Sequence, residues 1–496
     1  MHDGSTDKRP TNRGVARRDF LKAAGASGAA AGLAGCTAHP LAGTIAGGTG
    51  TGGSTLQWMA GTDEVGASGQ VKQALYDAGL SQDIGIEIIT GPRDTTAKQQ
   101  QLQRWFSGGL EKPDIIQMDS GWTIPFIKRG QTLNLTKSEA FPDSYVERIE
   151  ESYFEASVQT AKDPGTGDLH AVPFYPDFPT MLYRRDLVEE AGHSPGQENW
   201  ATESIRWRRF AQVVRDVLDR NDDLGYGFTF QANTYGGLSC CDFNEFMTSW
   251  GGAYFGGRDT LFGPVGERPV TVGEQPVIDS VRMIRSFISG PDASGAHPDY
   301  PGPISPRAVL GWVENTSLAP FTNGNAVANR NWPYAISNAT ADDALGDRLG
   351  VMPIPYAVPQ QQTEYENIGG PVAALGGWHH VINPNSNNIE ESVQVLQAMA
   401  EPSFKYRIFE LIGFIPPEPE LLNSRRARQV SGVGNFVEQL RIAGENAIPR
   451  PVTVVWPQQS TQIFQIVNSA YAGGIGPEQA MMSLQSTLEN IEDYAQ

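Results

Sequence analysis

Residues 84–90 read Ile84-Gly85-Ile86-Glu87-Ile88-Ile89-Thr90, and their alternation is typical of a β-strand. A further apolar segment of strand length lies on either side, and a helical pattern separates each neighbouring pair. The predicted strands are 56–60, 84–90 and 114–119, and the predicted helices between them are 70–78 and 95–107. Strands and helices that alternate at this spacing form parallel sheets through right-handed crossovers, so the sequence predicts an α/β fold.

Later segments add a hairpin and further helices. Residues 160–173 contain Pro164-Gly165, a turn signal, and are predicted to form a hairpin. Apolar residues recur at helical spacing over 203–218, and acidic residues begin a helical pattern over 390–400. The segment 477–494 begins with Pro-Glu, which suits the first turn of a helix.

The composition indicates a folded protein of several domains with an acidic surface. The chain has 496 residues, of which 39% are hydrophobic, enough for sizeable cores in two or three domains. It carries 37 Lys and Arg against 56 Asp and Glu, for a formal net charge of -19. This charge repels nucleic acid and anionic lipid, so neither is an expected partner. The even spread of acidic residues and the scarcity of Lys favour adaptation to high salt over a cationic ligand or simple solubility.

The first residues carry an export signal. Arg17-Arg18-Asp19-Phe20-Leu21-Lys22 resembles the twin-arginine motif, and the short apolar stretch 23–34 follows it as a signal sequence requires. Leu33-Ala34-Gly35-Cys36 looks like a lipoprotein box, with Cys36 as the acylated residue. We therefore assign 1–35 to a twin-arginine lipoprotein signal and 36–54, rich in Gly, Ala, Thr and Ser, to a flexible tether. The mature protein is expected on the extracellular face of the cytoplasmic membrane, held there by its lipid anchor alone.

Two further cysteines, Cys240 and Cys241, are adjacent in sequence. An adjacent pair provides neither a metal-ligand set nor a long disulfide loop. We expect both to be small buried apolar residues, with a vicinal disulfide as the alternative in an oxidising compartment.

Five ordered segments give the chain a family resemblance. One is Lys112-Pro113-Asp114-Ile115-Ile116-Gln117-Met118-Asp119-Ser120-Gly121-Trp122. The others are 172–177 with 182–187, 321–334, 376–386, and 450–453 with Ala480. Together they resemble family 1 extracellular solute-binding proteins of ABC importers, particularly the trehalose- and maltose-binding type, from about residue 56 to the C-terminus. Ligand capture for a separate permease is the activity that this resemblance implies.

The same resemblance implies a two-lobed fold of the periplasmic-binding-protein type II class. Two α/β lobes would be joined by hinge crossovers, with the ligand in the cleft between them. We place the N-terminal lobe at 55–174 plus 336–385 and the C-terminal lobe at 175–335 plus 386–496. The protein is expected to act as a monomer.

Sugar binding requires groups that bond hydroxyls and faces that cover the ring. On this basis the carboxylates of Asp119 and Asp177 are candidate hydroxyl acceptors. The candidate stacking residues are Trp122, Tyr175, Trp332 and Trp378; Gly377 would allow close backbone approach, and Glu64 and Tyr235 are secondary candidates. The alternative roles are a helix cap or turn for the two aspartates and core or hinge packing for the tryptophans.

Two departures from the family pattern make the sugar's identity open. Gly236 stands where relatives often have Glu, and Lys98 to Gln101 replace a segment that is often arginine-rich in disaccharide binders. The ligand is therefore predicted only as a mono-, di- or oligosaccharide, with a non-sugar solute as an alternative.

A secreted carbohydrate-active hydrolase is the rival class, since it also needs carboxylates and aromatic residues in a cleft. The Gly-x-Ser-x-Gly and His-Glu-x-x-His motifs do not occur in the sequence. His379 and His380 are adjacent, so their side chains are expected to point apart rather than share a metal. We predict no catalytic residue, no metal and no cofactor.

Overall fold

The computed structural model describes residues 55–92, 95–341 and 343–494. The predicted signal with Arg17 and Arg18, the acylation site Cys36 and the tether 36–54 all lie outside these residues. Within the described residues, no helix combines the length and the apolar character needed to cross a membrane.

The first sheet has five strands in the order β2-β1-β3-β10-β4. The strands are β1 (Thr55–Ala60), β2 (Gly85–Thr90), β3 (Ile115–Asp119), β4 (Val172–Asp177) and β10 (Gly376–Ile382). β1 pairs in parallel with β2 and β3, as the alternation of strands and helices predicted. β10 lies antiparallel between β3 and β4, so the carboxyl ends of β3 and β4 meet at one edge of the sheet.

The second sheet has four strands in the order β6-β7-β5-β8. The strands are β5 (Thr180–Arg184), β6 (Tyr226–Thr229), β7 (Ala326–Asn331) and β8 (Leu349–Met352). β5 runs antiparallel to both β7 and β8, whereas β6 and β7 are parallel. A two-stranded parallel pair is formed by β9 (Ala373–Ala374) and β11 (Ala447–Ile448).

Helices cover both sheets. In the first half of the chain they are Thr62–Gly66, Ser68–Asp77, Thr95–Ser107, Thr123–Lys128, Asp143–Ser152, Glu155–Thr160, Arg185–Glu190, Trp200–Glu203, Trp207–Leu218 and Phe243–Ser249. In the second half they are Gln275–Ser289, Glu314–Thr322, Pro333–Ala339, Ile389–Ala400, Pro402–Ile412, Pro419–Leu422, Arg425–Arg428, Val437–Glu445, Trp456–Ala472 and Pro477–Tyr494.

Each sheet has its own apolar core. Trp58 is fully buried in the first core, where its ring meets Phe174 edge-on at 6.2 Å between centroids. Trp207 is fully buried in the second core and packs edge-on against Phe246 at 5.6 Å. A third cluster includes Phe178, which lies in the short link from β4 to β5. The chain thus forms two α/β layers, and packed side chains surround the segment that passes from one layer to the other. The predicted α/β fold is confirmed.

The predicted helix 203–218 is wrong at its start. A short helix ends at Glu203, and Ser204 then takes a positive φ of 58° while its hydroxyl donates to the Pro353 carbonyl at 2.7 Å. The main helix begins only at Trp207. Helical spacing of apolar residues cannot detect this break, because the side chains on both sides of it are buried.

The structure also differs from the predicted lobe boundaries. β8 was assigned to the N-terminal lobe, yet its backbone pairs with β5 in the second sheet. The helices Ile389–Ala400 and Pro402–Ile412 were assigned to the C-terminal lobe, yet their apolar residues are part of the first core. The reason is that the chain returns to the second core only with the helices Trp456–Ala472 and Pro477–Tyr494.

Candidate functional site

A cleft of about 700 Å³ lies at the carboxyl ends of β3 and β4 and is closed on its far side by elements of the second core. Ligands of open α/β sheets bind outside the carboxyl ends of the strands, so the position is the expected one. Seven of the nine predicted ligand residues line this cleft: Asp119, Trp122, Asp177, Tyr235, Trp332, Gly377 and Trp378.

The polar end of the cleft is built from β3 and β4. Asp119, the last residue of β3, forms an ion pair with Arg450 (Oδ1 to Nη1, 3.1 Å) and accepts from the Gly121 amide at 2.7 Å. The turn role that was the alternative for Asp119 is therefore present, and the carboxylate also faces the cleft. Arg450 crosses so close to Gly121 that a Cβ there would lie 2.3 Å from Nη1.

Asp177, the last residue of β4, is the second carboxylate of the polar end. Loss of hydration in the cleft, followed by the negative charge of Asp119, raises the pKa of Asp177 to about 7. Near neutral pH this group therefore exists both as a carboxylic acid, which donates a hydrogen bond, and as a carboxylate, which accepts one.

Two indole rings stand beside these carboxylates. The rings of Trp122 and Trp378 meet edge-on, with centroids 5.9 Å apart and planes at 85°. The buried Lys98 places Nζ 4.3 Å from the centre of the Trp378 ring, which covers part of that indole. Burial lowers the pKa of Lys98 to about 8, against the opposing attraction of Glu64.

Gly377 holds β10 close to β4. Its φ is +100°, and a Cβ would lie 2.4 Å from the Tyr175 carbonyl oxygen. The pairing of β10 with β4 shifts register between Trp378 and His379, so the strand bulges at the cleft. The predicted close backbone approach at Gly377 is thus made to a neighbouring strand.

Trp332 follows β7 and enters the cleft from the second sheet. Its ring lies 4.7 Å from the guanidinium of Arg330 and within 3 Å of where a Cβ on Gly376 would stand. Arg330 is fully buried and donates to both oxygens of Glu245, at 2.8 and 2.7 Å. The indole therefore rests on a fixed ion pair.

Of the remaining wall, only Tyr235 was predicted from the sequence. Tyr235 was a secondary candidate, and its hydroxyl donates to Glu314 Oε1 at 2.8 Å. Glu314 itself, Trp456 and Phe464 also line the cleft. Trp456 follows the segment 450–453 by only three residues, and this proximity was the one available signal. Glu314 is a helix-start glutamate without any distinguishing pattern.

Two predicted ligand residues do not line the cleft. Glu64 lies in the short helix Thr62–Gly66 rather than in a loop, is fully buried, and accepts from Gln117 Nε2 at 2.5 Å. Burial raises the pKa of Glu64 to about 7. Tyr175 is also buried, and its ring stacks on Phe414 with centroids 3.7 Å apart. Tyr175 lies two residues before the end of β4, where Phe414 covers its ring, whereas Asp177 at the strand end reaches the cleft.

Cys240 and Cys241 are buried, and the pair takes the alternative form given for it, a vicinal disulfide. The two sulfurs are joined as a vicinal disulfide within a single π-helical turn, Leu238–Asp242. Both residues are buried, as expected, and both line the cleft.

The adjacent histidines belong to β10 and point to different neighbours. His379 Nε2 lies 2.8 Å from Thr160 Oγ1, while the His380 ring packs 4.3 Å from that of Phe174. Burial lowers the pKa of both imidazoles to about 3, so they are neutral core residues. In the described part of the chain, no group of three or more His, Cys, Asp and Glu side chains is arranged to hold a metal ion.

Two α/β layers with a cleft at their strand ends, lined by carboxylates and indoles, define the two-lobed solute-binding class. The chain belongs to the bacterial extracellular solute-binding proteins, whose family model matches residues 75–428. A relative from Deinococcus radiodurans, named "Probable ABC transporter-binding protein", is 23% identical over 411 residues, covering 82% of this chain and 86% of that protein.

Solved structures share the fold. The maltose-bound T. maritima MalE3 has a TM-score of 0.69 at 21% identity, covering 88% of this chain and 99% of that chain. The GacH receptor of Streptomyces glaucescens has a TM-score of 0.67 at 15% identity, covering 89% and 99%. The cyclic alpha-maltosyl-1,6-maltose binding protein of Arthrobacter globiformis has a TM-score of 0.66 at 17% identity, covering 89% and 100%.

Proposed function

We propose that this protein captures a sugar (a mono-, di- or oligosaccharide) and delivers it to the permease of an ABC importer. The observation that carries the proposal is the composition of the cleft, where Asp119, Asp177 and Glu314 face the same space as Trp332 and Trp378. Carboxylates bind sugar hydroxyls through charge-assisted hydrogen bonds, and indole faces cover the apolar C–H faces of the ring. A cavity of about 700 Å³ has room for such a ligand.

The ligands of the structural neighbours support the choice of a sugar. MalE3 of T. maritima was solved with maltose, and the GacH receptor was solved with acarbose. The curated relative carries the name of an ABC transporter-binding protein, which supports a permease as partner.

Capture would proceed by closure of the two lobes. A sugar held by Asp119, Asp177 and Trp378 on the first sheet would be covered by Trp332 and Glu314 from the second. The ligand favours the closed form because it bonds to both walls only in that form. Acylation of Cys36 after twin-arginine export would keep the protein at the extracellular face of the membrane, next to the permease.

A thermal-shift screen tests the sugar. The full chain with Cys36→Ser, in molar KCl or NaCl, is heated with mono-, di- and oligosaccharides. A ligand at 100 times its Kd adds about 2.7 kcal/mol of stability, so a binding sugar raises Tm measurably. Each sugar that raises Tm is then incubated with the protein, and hydrolysis products are assayed.

A matched pair of variants locates the response. Trp378→Ala should abolish the shift, whereas Trp105→Ala, on the helix Thr95–Ser107 outside the cleft lining, should retain it. The absence of a shift with every sugar would contradict the proposed ligand class. Accumulation of hydrolysis product would contradict binding without turnover and would indicate a carbohydrate-active hydrolase.

A further inference from the structure

The vicinal disulfide of Cys240 and Cys241 faces the cleft, and the proposed function assigns it no role. Their residues are only 8% and 1% exposed, and both belong to the lining of the cleft. Isolated π-helical turns such as Leu238–Asp242 occur frequently at functional sites. A ligand in the cleft would therefore meet the disulfide.

The disulfide turn is held in place by hydrogen bonds to its neighbours. Ser239 Oγ lies 2.6 Å from Ser460 Oγ on the helix Trp456–Ala472, and the Tyr254 hydroxyl donates to the Ser239 carbonyl at 2.5 Å. Asp242, at the end of the turn, accepts from the Gln231 amide at 3.1 Å. Bonds on both sides of the cysteines keep their sulfurs at a constant position.

The same turn is connected to Trp332. Asp242 Oδ2 lies 3.4 Å from Arg330 Nη1, and the Arg330 guanidinium supports the Trp332 indole at 4.7 Å. The positions of the disulfide and of this indole therefore depend on one buried ion network, which includes Glu245.

The chemistry of this wall differs from that of the polar end. A disulfide has no proton to donate, and its sulfurs are weak acceptors and polarizable apolar surfaces. Trp456 and Phe464 also line the cleft, whereas Asp119, Asp177 and Arg450 make up the polar end. A sugar ring would turn its hydroxyl edge to the polar end and a C–H face to the sulfurs.

We infer that the Cys240–Cys241 disulfide is a ligand-contacting surface that packs against the apolar C–H face of a bound sugar ring. This inference rests on the proposed function, because it needs a sugar in the cleft. It assigns the sulfurs a direct contact with ligand and goes beyond a structural role in the turn.

The first experiment measures how far bound sugar protects the unmutated Cys240–Cys241 disulfide from reduction. The full chain with Cys36→Ser, which leaves the pair as the only cysteines, is treated with a water-soluble phosphine and the appearance of thiols is followed. The phosphine breaks the S–S bond, is oxidised to its oxide with oxygen from water, and leaves two thiols. The sugar found in the thermal-shift screen, at saturation, should slow this reduction about tenfold or more, the extent of shielding expected at about ten times Kd or above.

The second experiment measures affinity by calorimetry. Cys240→Ser/Cys241→Ser should weaken the sugar about tenfold, the effect of removing one apolar contact from a pocket. Cys240→Ala/Cys241→Ala keeps an apolar surface without the disulfide and should weaken it less. Thermal unfolding of each variant without ligand reports whether the fold is retained, and if both variants fail to fold, the protection experiment decides.

The outcomes separate the two proposals. Sugar binding with unprotected sulfurs, or with undiminished affinity in the serine variant, would overturn the disulfide surface and leave the proposed function intact. Labelling of both cysteines by a thiol reagent before any reduction would also overturn it. A protein that binds no sugar at all would overturn the proposed function, and therefore also the inferred contact between the disulfide and the sugar.

Discussion

Replacing Asp177 with Asn should stabilise the ligand-free protein while it weakens sugar binding. Folding raises the pKa of Asp177 from its ordinary 3.8 to about 7, first through lost hydration and second through the charge of Asp119. The folded protein therefore holds a proton that the unfolded chain has released, and stability falls as pH rises from about 4 to about 7. Above pH 7 the folded protein bears the full free-energy cost of burying the ionised Asp177 carboxylate. An Asn side chain at this position is neutral and does not bear that cost.

The magnitude follows from the pKa. A rise from 3.8 to about 7 corresponds to about 4 kcal/mol at 1.36 kcal/mol per pH unit, and the partial exposure of Asp177 reduces this to about 1–2 kcal/mol. Asp177→Asn should therefore raise Tm by about 2 °C at pH 8 and leave it unchanged at pH 4. Sugar affinity should fall about 10-fold to 100-fold, because a hydrogen bond to a charged acceptor is lost.

The assay is thermal unfolding at pH 4 and pH 8, with calorimetric titration of sugar at pH 8. Asp292→Asn makes the same chemical change at an exposed loop position and should alter neither property. Wild-type affinity should rise with pH through about 7, as Asp177 becomes a better acceptor. Equal stabilisation at both pH values, or none at pH 8, would refute the reasoning.

Three further predictions concern the framework of the cleft and its surface. Gly377→Ala should lower the free energy of unfolding in urea by at least about 2 kcal/mol, since φ is +100° at this position and a Cβ would lie 2.4 Å from the Tyr175 carbonyl. Unchanged stability would contradict the pairing register of β10 with β4. Arg330→Met should cost about 3–5 kcal/mol, because it leaves Asp242 and Glu245 buried without a cation; a loss below about 1 kcal/mol would argue against the network. The melting temperature should rise from 0.1 M to 2 M NaCl, as salt screens the net charge of -19; a flat profile would argue against salt adaptation.

Much of the fold could be predicted where elements follow one another locally. The strands β1, β2 and β3 and the helices between them are near their predicted positions, since periodicity records which face is buried. The partner of β10 could not be predicted, because a pattern identifies a strand without naming its neighbour. β10 lies beside β3, some 260 residues earlier in the chain, and only the folded sheet reveals this pairing.

The candidate site was likewise predicted only in part. Asp119 was predicted from its place at the carboxyl end of a strand, whereas Asp177 was predicted from a segment that resembles the family, and both line the cleft. Glu64 was misplaced because a single short helix turns its side chain toward Gln117. The opposite wall, with Glu314 and the Cys240–Cys241 disulfide, is assembled from segments far apart in sequence that share no pattern.

Calorimetric titration of the full chain with Cys36→Ser, using the sugar found in the screen, is the most direct test of sugar capture in this cleft. We predict a single site with Kd on the order of micromolar, and no detectable heat of binding with Trp378→Ala. Binding that persists undiminished in Trp378→Ala, or the absence of binding by any sugar, would contradict sugar capture between these two walls.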